Sequence, residues 1–263
     1  VLFVCWLVAI AGLTVLAPWL VPYHPNAQVI SERLLAPSST HWLGTDALGR
    51  DLWSRILFGG RSSVSVGLIS AFFSLALGTF TGAVAGYYRG WVDRIVLAMI
   101  DYLSLFPSLL LAILFSLLFG RGLLGVIFSI GLVAWVQQAR LVRTLVIQAQ
   151  TEAYVEAARS LGLAPSHILF QHVLRNLWGP ILVSVSAQVP TNIMSESFLS
   201  FLGLGLQPPL ASWGTLAAEG ARALRSHLGL LVFPSLALFL TLLACQYLGD
   251  WLRDQLAVHS RQS

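Results

Sequence analysis

Six apolar stretches, each close to the length of a bilayer crossing, restrict this chain more than any other feature. They cover residues 1–21, 64–87, 95–119, 123–142, 177–204 and 228–248. A membrane's hydrocarbon core is about 30 Å thick, and an α-helix crosses it in about 20 residues. Only 10% of the residues are charged and the mean hydropathy is +0.79. Soluble domains carry about 25% charged residues, so this chain could not cover a water-facing surface. The expected fold class is all-α: a polytopic membrane protein of about six transmembrane helices.

The first run has no basic leader and no clean A-x-A cleavage site, so it reads as an uncleaved span rather than a signal peptide. The chain starts abruptly inside it, as a missing cytoplasmic leader or a late start codon would produce. The second run is rich in Gly, Ser, Thr and Ala, which let helix backbones approach closely in lipid. Pro107 in the third and Pro190 in the fifth read as kinks. Two long connections, 22–61 and 143–176, fall on opposite sides of the membrane. Arg89, Arg94, Arg140, Arg143, Arg159, Arg175, Arg253 and Arg261 favour a cytoplasmic second connection, fourth connection and C-terminus. The resulting division is a first helix (1–21), an extracytoplasmic loop (22–61), a core of five spans (62–250) with a cytoplasmic loop at about 144–176, and a cytoplasmic tail (251–263). No internal repeat is evident.

All 15 basic residues are arginine. A P-loop needs a lysine to reach nucleotide phosphates, so ATP-driven work by this chain requires a partner. A formal charge of +4 with no dense basic run gives no sign of nucleic acid. Cys5 and Cys245 lie in apolar runs and read as packing residues. His167 and His172 are not at a same-face helical spacing, and no metal-ligand cluster emerges.

The loop after the fourth span reads as a helix–turn–helix in water. Thr151 can cap its start, with Glu152 in the first turn. Gly162 suits a left-handed stop and Pro165 the start of a second helix. Ala153, Ala157 and Ala158 keep the first helix thin enough for a groove on another protein, with Glu156 and Arg159 for polar contacts; an ordinary interfacial loop would satisfy the same spacing. In the first long loop, Asp46–Arg50 and Asp51–Arg55 are i,i+4 pairs. Leu48, Leu52 and Ile56 form a stripe, and Trp42 and Trp53 suit an interface. Together they predict a short amphipathic helix on the bilayer.

Glu156-Ala157-Ala158, three residues and then Gly162 resembles the EAA motif of permease subunits of bacterial ABC importers. His172, Leu174 and Asn176 match the H-[IV]-L-P-N continuation of the dipeptide and oligopeptide branch, with Arg175 in place of the proline. The string from Gly44 to Arg55 resembles that branch's G-T-D-x-x-G-R-D-x-x-S-R. Glu196 to Gly205, Gln207-Pro208-Pro209 and Ser212-Trp213-Gly214 resemble its E-x-x-L-S-F-L-G-L-G, Q-P-P and S-W-G. Leu248 to Asp254 resembles its L-G-D-x-L-R-D ending. Across nearly the whole chain the resemblance is to the DppC, OppC or NikC type of subunit. It implies a type I (MetI-like) permease fold in the bacterial cytoplasmic (inner) membrane. The implied cargo is short peptides, with nickel complexes, glutathione and opines as relatives' cargoes.

The same resemblance implies a homologous permease of the DppB or OppB type, two cytoplasmic ATPase subunits that bind ATP and Mg, and an extracytoplasmic binding protein. No cofactor is expected in this chain. Glu156, Ala157, Ala158, Gly162, His172 and Leu174 would form the ATPase-coupling loop.

Asp101 and Glu196 fall inside predicted spans, where ionisable groups are costly. They are candidates for the substrate path or the seam with the partner permease. The competing reading is a self-contained secondary transporter or intramembrane enzyme that uses these two acids. Against it, the chain has no G-x-S-x-G, no H-E-x-x-H and no paired intramembrane acids, so a non-catalytic subunit is expected.

Overall fold

A computed structural model describes residue 12, residues 16–225 and residues 227–259. Of the first expected span, 1–21, the helical turn Ala17–Leu20 is described and most of the rest lies outside the described residues. The regular structure among the described residues is helical, with no strand beyond an isolated bridge between Thr45 and Asp51. The all-α class is borne out.

Helix α1, Leu52–Tyr88, is 37 residues long. At 1.5 Å per residue it extends about 55 Å, well past the hydrocarbon core at its ends. It begins before the expected boundary because Asp51 caps it: Asp51 Oδ2 accepts from the Ser54 amide at 2.8 Å and the Ser54 hydroxyl at 2.7 Å. The expected interfacial helix across 46–56 is therefore corrected. Residues 46–50 form a turn through Gly49, at φ +71°, and the helix starts only at Leu52. Asp51 also pairs with His41 Nδ1 at 2.9 Å, so it does not make the expected bond to Arg55.

The third expected span is two helices, α2 (Gly90–Ser104) and α3 (Ser108–Phe119), bent by 99°. Pro107 stands at the break. It lacks an N–H, and it disfavours helical geometry in the residue before it. Helix α4 spans Leu123–Ala149 and α5 spans Ala153–Ser160. One turn at Pro165–His167 widens to π geometry over Ile168–Val173 and runs directly into α6, Leu174–Phe201. Helix geometry therefore continues through Arg175, where the resemblance would place a proline. Helix α7, Trp213–Arg222, was not anticipated. Helix α8, Gly229–His259, absorbs the first nine residues of the expected tail, because nothing after Leu248 stops a helix.

Among the described residues, α1, α4 and α8 are long and apolar enough to cross a membrane, and α2 with α3 qualifies if the bent pair is one span. Helix α6 is equally long, but its Ser, Gln, Thr and Asn residues lower its apolarity. Large apolar side chains such as Phe72, Phe80, Leu118 and Phe239 point outward, as lipid requires.

Helix α1 packs along α4 and α6 with a face of small residues: Ser63, Gly67, Ser74, Gly78, Gly82 and Gly86 are buried. A Cβ on Gly78 would lie 2.6 Å from Gln138 Cβ, and one on Gly86 would lie 2.7 Å from Arg143 O. The backbones thus meet where side chains are absent. The chain's course places the first long loop and α7 at one end of the bundle and α5 at the other.

Candidate functional site

The loop at the α5 end is anchored on one side and free on the other. Val155 and Ala158 of α5 are buried in a cluster with Val142 and Val146 of α4, Ile168, Leu169 and Val173 of the π turn, and Leu174 and Ile181 of α6. Glu156 and Ala157 face outward and are exposed, as is Leu161 at 79%. His172 is half-buried and its ring meets that of His167 edge-on at 5.6 Å.

Gly162 has φ +73°. Its amide donates to Arg159 O at 2.9 Å and the Leu163 amide donates to Ala158 O at 3.3 Å. These two bonds form a Schellman stop, which requires a left-handed residue at this position. No atom lies within 4 Å of where its Cβ would be. Thr151 does not cap α5: it lies in the preceding turn and donates to Gln148 O at 2.8 Å, while Glu152 takes the cap position.

Asp101 and Glu196 do not come together. Asp101 is 69% exposed at its side chain and accepts from Arg140 Nη2 at 3.1 Å. Glu196 is fully buried and accepts from the hydroxyls of Ser200 at 2.7 Å, Ser63 at 2.9 Å and Ser197 at 3.4 Å. Ser63 also accepts from the Trp213 amide at 3.2 Å, so Glu196 ties α6 to α1 and to the start of α7. Glu196→Leu would strand these hydroxyls in an apolar site. We expect a loss of about 1–3 kcal/mol, seen as a lower melting temperature in detergent, with Glu196→Gln milder.

At the opposite end, Arg50 and Arg55 meet Asp46 and Glu219. Arg50 Nε donates to Asp46 Oδ2 at 2.6 Å, and Arg55 Nη1 to the same oxygen at 2.7 Å. Arg50 Nη2 and Arg55 Nη2 each donate to Glu219 at 3.1 Å, and Arg55 Nη1 bonds Glu219 as well. Sequence reasoning found the Asp46–Arg50 pair and missed Glu219. The available signal was Ser212-x-x-Thr215, a capping box that starts α7 and projects Glu219 from its second turn. Among the described residues no group of three or more His, Cys, Asp or Glu could hold a metal ion.

Long helices with an apolar exterior, a polar cluster at one end and an exposed helix–turn at the other define a polytopic membrane protein. A family model for the binding-protein-dependent transport system inner membrane component matches residues 78–261. The glutathione transport system permease protein GsiD of Pectobacterium atrosepticum is 43% identical over 258 residues, 97% of this chain and 84% of that protein. The dipeptide transport system permease protein DppC of Bacillus subtilis is 40% identical over 93% of this chain and 77% of its own length. An inward-facing structure of the MetNI methionine ABC transporter aligns with a TM-score of 0.61 at 16% identity, covering 78% of this chain and 97% of the matched chain. The chain belongs to the binding-protein-dependent transport system inner membrane component family, and is an ABC importer permease subunit with the MetI-like fold.

Proposed function

We propose that this subunit forms half of the translocation pathway for short peptides in the bacterial inner membrane, and that a separate ATPase drives it through α5 and the Gly162 turn. One observation carries the coupling role: α5 exposes Glu156 and Ala157 while Val155 and Ala158 are locked into the cluster shared by α4 and α6. A force on the outer face therefore reaches the long helices through packed side chains, since close-packed interiors transmit strain. Cluster member Leu174 is the first residue of α6, and its position at the foot of that helix supports the lever reading.

The peptide assignment is supported by the relatives, whose names specify dipeptide, oligopeptide and glutathione transport. The assembly consists of this chain, a homologous permease, two ATPase subunits and an extracytoplasmic binding protein. ATP with Mg binds the ATPases, and hydrolysis takes place there. ATP and the loaded binding protein must each favour one conformational state of the pathway differentially.

Gly162→Arg tests the coupling. The substitution puts a long side chain on the docking face and forces a left-handed conformation on a non-glycine residue, at about 1–2 kcal/mol. The expected result in proteoliposomes is a membrane-inserted, assembled complex that hydrolyses ATP with uptake reduced at least about tenfold, or about 1.4 kcal/mol of lost coupling. Normal uptake by that variant would refute the coupling role. Competition of labelled peptide uptake by glutathione and by nickel complexes identifies the cargo.

A further inference from the structure

Three cavities in the described residues share walls. The middle one, about 450 Å³, lies between α3, α4 and α6. Ser108, Thr191 and Ser195 also line a cavity of about 760 Å³ against α8. Ser108 and Gln137 also line one of about 540 Å³ against α2. Gln137 stands near the middle of α4 and Thr191 near the middle of α6, both within the apolar runs at 123–142 and 177–204, and both are exposed.

No charged residue lines the middle cavity. The charges on its flanks are paired within the chain: Arg140 with Asp101 at 3.1 Å and Arg253 with Asp250 at 3.8 Å. Within the wall, the Ser74 hydroxyl donates to Gln188 Oε1 at 2.6 Å, and Gln188 Nε2 donates to Gln138 Oε1 at 2.7 Å. The wall is thus held in place, neutral, and supplied with amide and hydroxyl groups at a depth where polar groups are costly without a purpose.

That chemistry matches what every peptide carries: amide N–H and C=O groups at regular intervals, whatever the side chains. It offers neither a counter-charge for one side-chain type nor the imidazole, thiolate or carboxylate ligands of a bare divalent cation. We propose that Gln137 and Thr191 are specificity-determining residues that face peptide cargo in transit and keep the path indifferent to side-chain charge. The assignment rests on the peptide-importer reading above.

The test uses the complete importer in proteoliposomes, with alanyl-lysyl-alanine and alanyl-glutamyl-alanine as cargo at saturating binding protein. Gln137→Glu and Thr191→Asp each place a carboxylate on the cleft wall, from α4 and from α6. Each variant should shift the uptake ratio toward the lysyl peptide by at least about tenfold relative to the unaltered importer, because like-charge contact disfavours the glutamyl peptide. Unchanged ratios in both variants would place these residues off the path and overturn the proposal. Loss of the partner permease on co-purification would make the cleft a subunit seam and overturn it as well. Uptake of neither peptide by the unaltered importer would instead overturn the peptide reading, and this assignment with it.

Discussion

Arg55→Ala is expected to destabilise the subunit by about 3 kcal/mol, the lower end of the range for breaking a buried ion pair. The Arg55 side chain is 3% exposed and Asp46 is 6% exposed, so neither charge can turn to water when its partner is removed. Arg50 still bonds Asp46 at 2.6 Å in the variant, which keeps the loss from being larger. Glu219 is 35% exposed, and Glu219→Gln should cost much less, about 1 kcal/mol. Thermal unfolding in detergent measures both, and a double-mutant cycle isolates the pair. The same variants should loosen α7 from α1, because Arg55 lies on α1 and Glu219 on α7; faster amide exchange over Trp213–Arg222 would report it. Equal melting temperatures for Arg55→Ala and the unaltered chain would show that the cluster contributes no stability.

Gly82→Leu should be as damaging by a different route. A Cβ at Gly82 would overlap Ala139 O, which is backbone and cannot rotate away. The remaining atoms of a leucine would force α1 from α4 along the longest helix contact of the bundle. Overpacking of this kind costs about 1–3 kcal/mol, and the backbone obstacle puts Gly82→Leu at or above the upper end. The check is the yield of monodisperse protein in detergent together with its melting temperature. Gly90→Ala is the control for added bulk, since nothing lies within 4 Å of the Cβ position there, although the residue's φ of +64° carries its own smaller penalty.

Period and composition made the helices legible because each was coded locally. The runs at 64–87, 123–142 and 228–248 are apolar over a bilayer's thickness, and α1, α4 and α8 cover them. Gly162 was equally legible, since a left-handed stop followed by proline is a local signal. The 99° break at Pro107 was visible as a kink but not as an angle, because proline removes a bond without specifying where the chain goes next. Thr151 was misassigned as a cap because several polar residues in a row can each serve. Only the packing of Val155 and Ala158 sets where α5 begins.

The loop from His41 to Arg55 shows why local rules gave out. Its i,i+4 pairs fit an exposed helix as read from spacing, but Asp51 serves better as the cap of α1, and Arg55 is drawn to Asp46 and Glu219. Glu219 lies 164 residues further along the chain, so no window could have connected them. The polar groups of the cleft had the same character: Gln137, Gln138, Gln188 and Thr191 were unremarked in the sequence and share a cavity only once α4 and α6 are packed.

From residue order alone came the membrane class, the positions of most long helices, and the exposed loop with its glycine stop. Each follows from a short stretch interacting with lipid, with water or with its own backbone. The assembled bundle alone set the pairing of Arg55 with Glu219, the separation of Asp101 from Glu196, and the neutral cleft beside Gln137. These contacts join residues far apart in the chain, and their existence depends on which faces the close-packed helices turn toward one another.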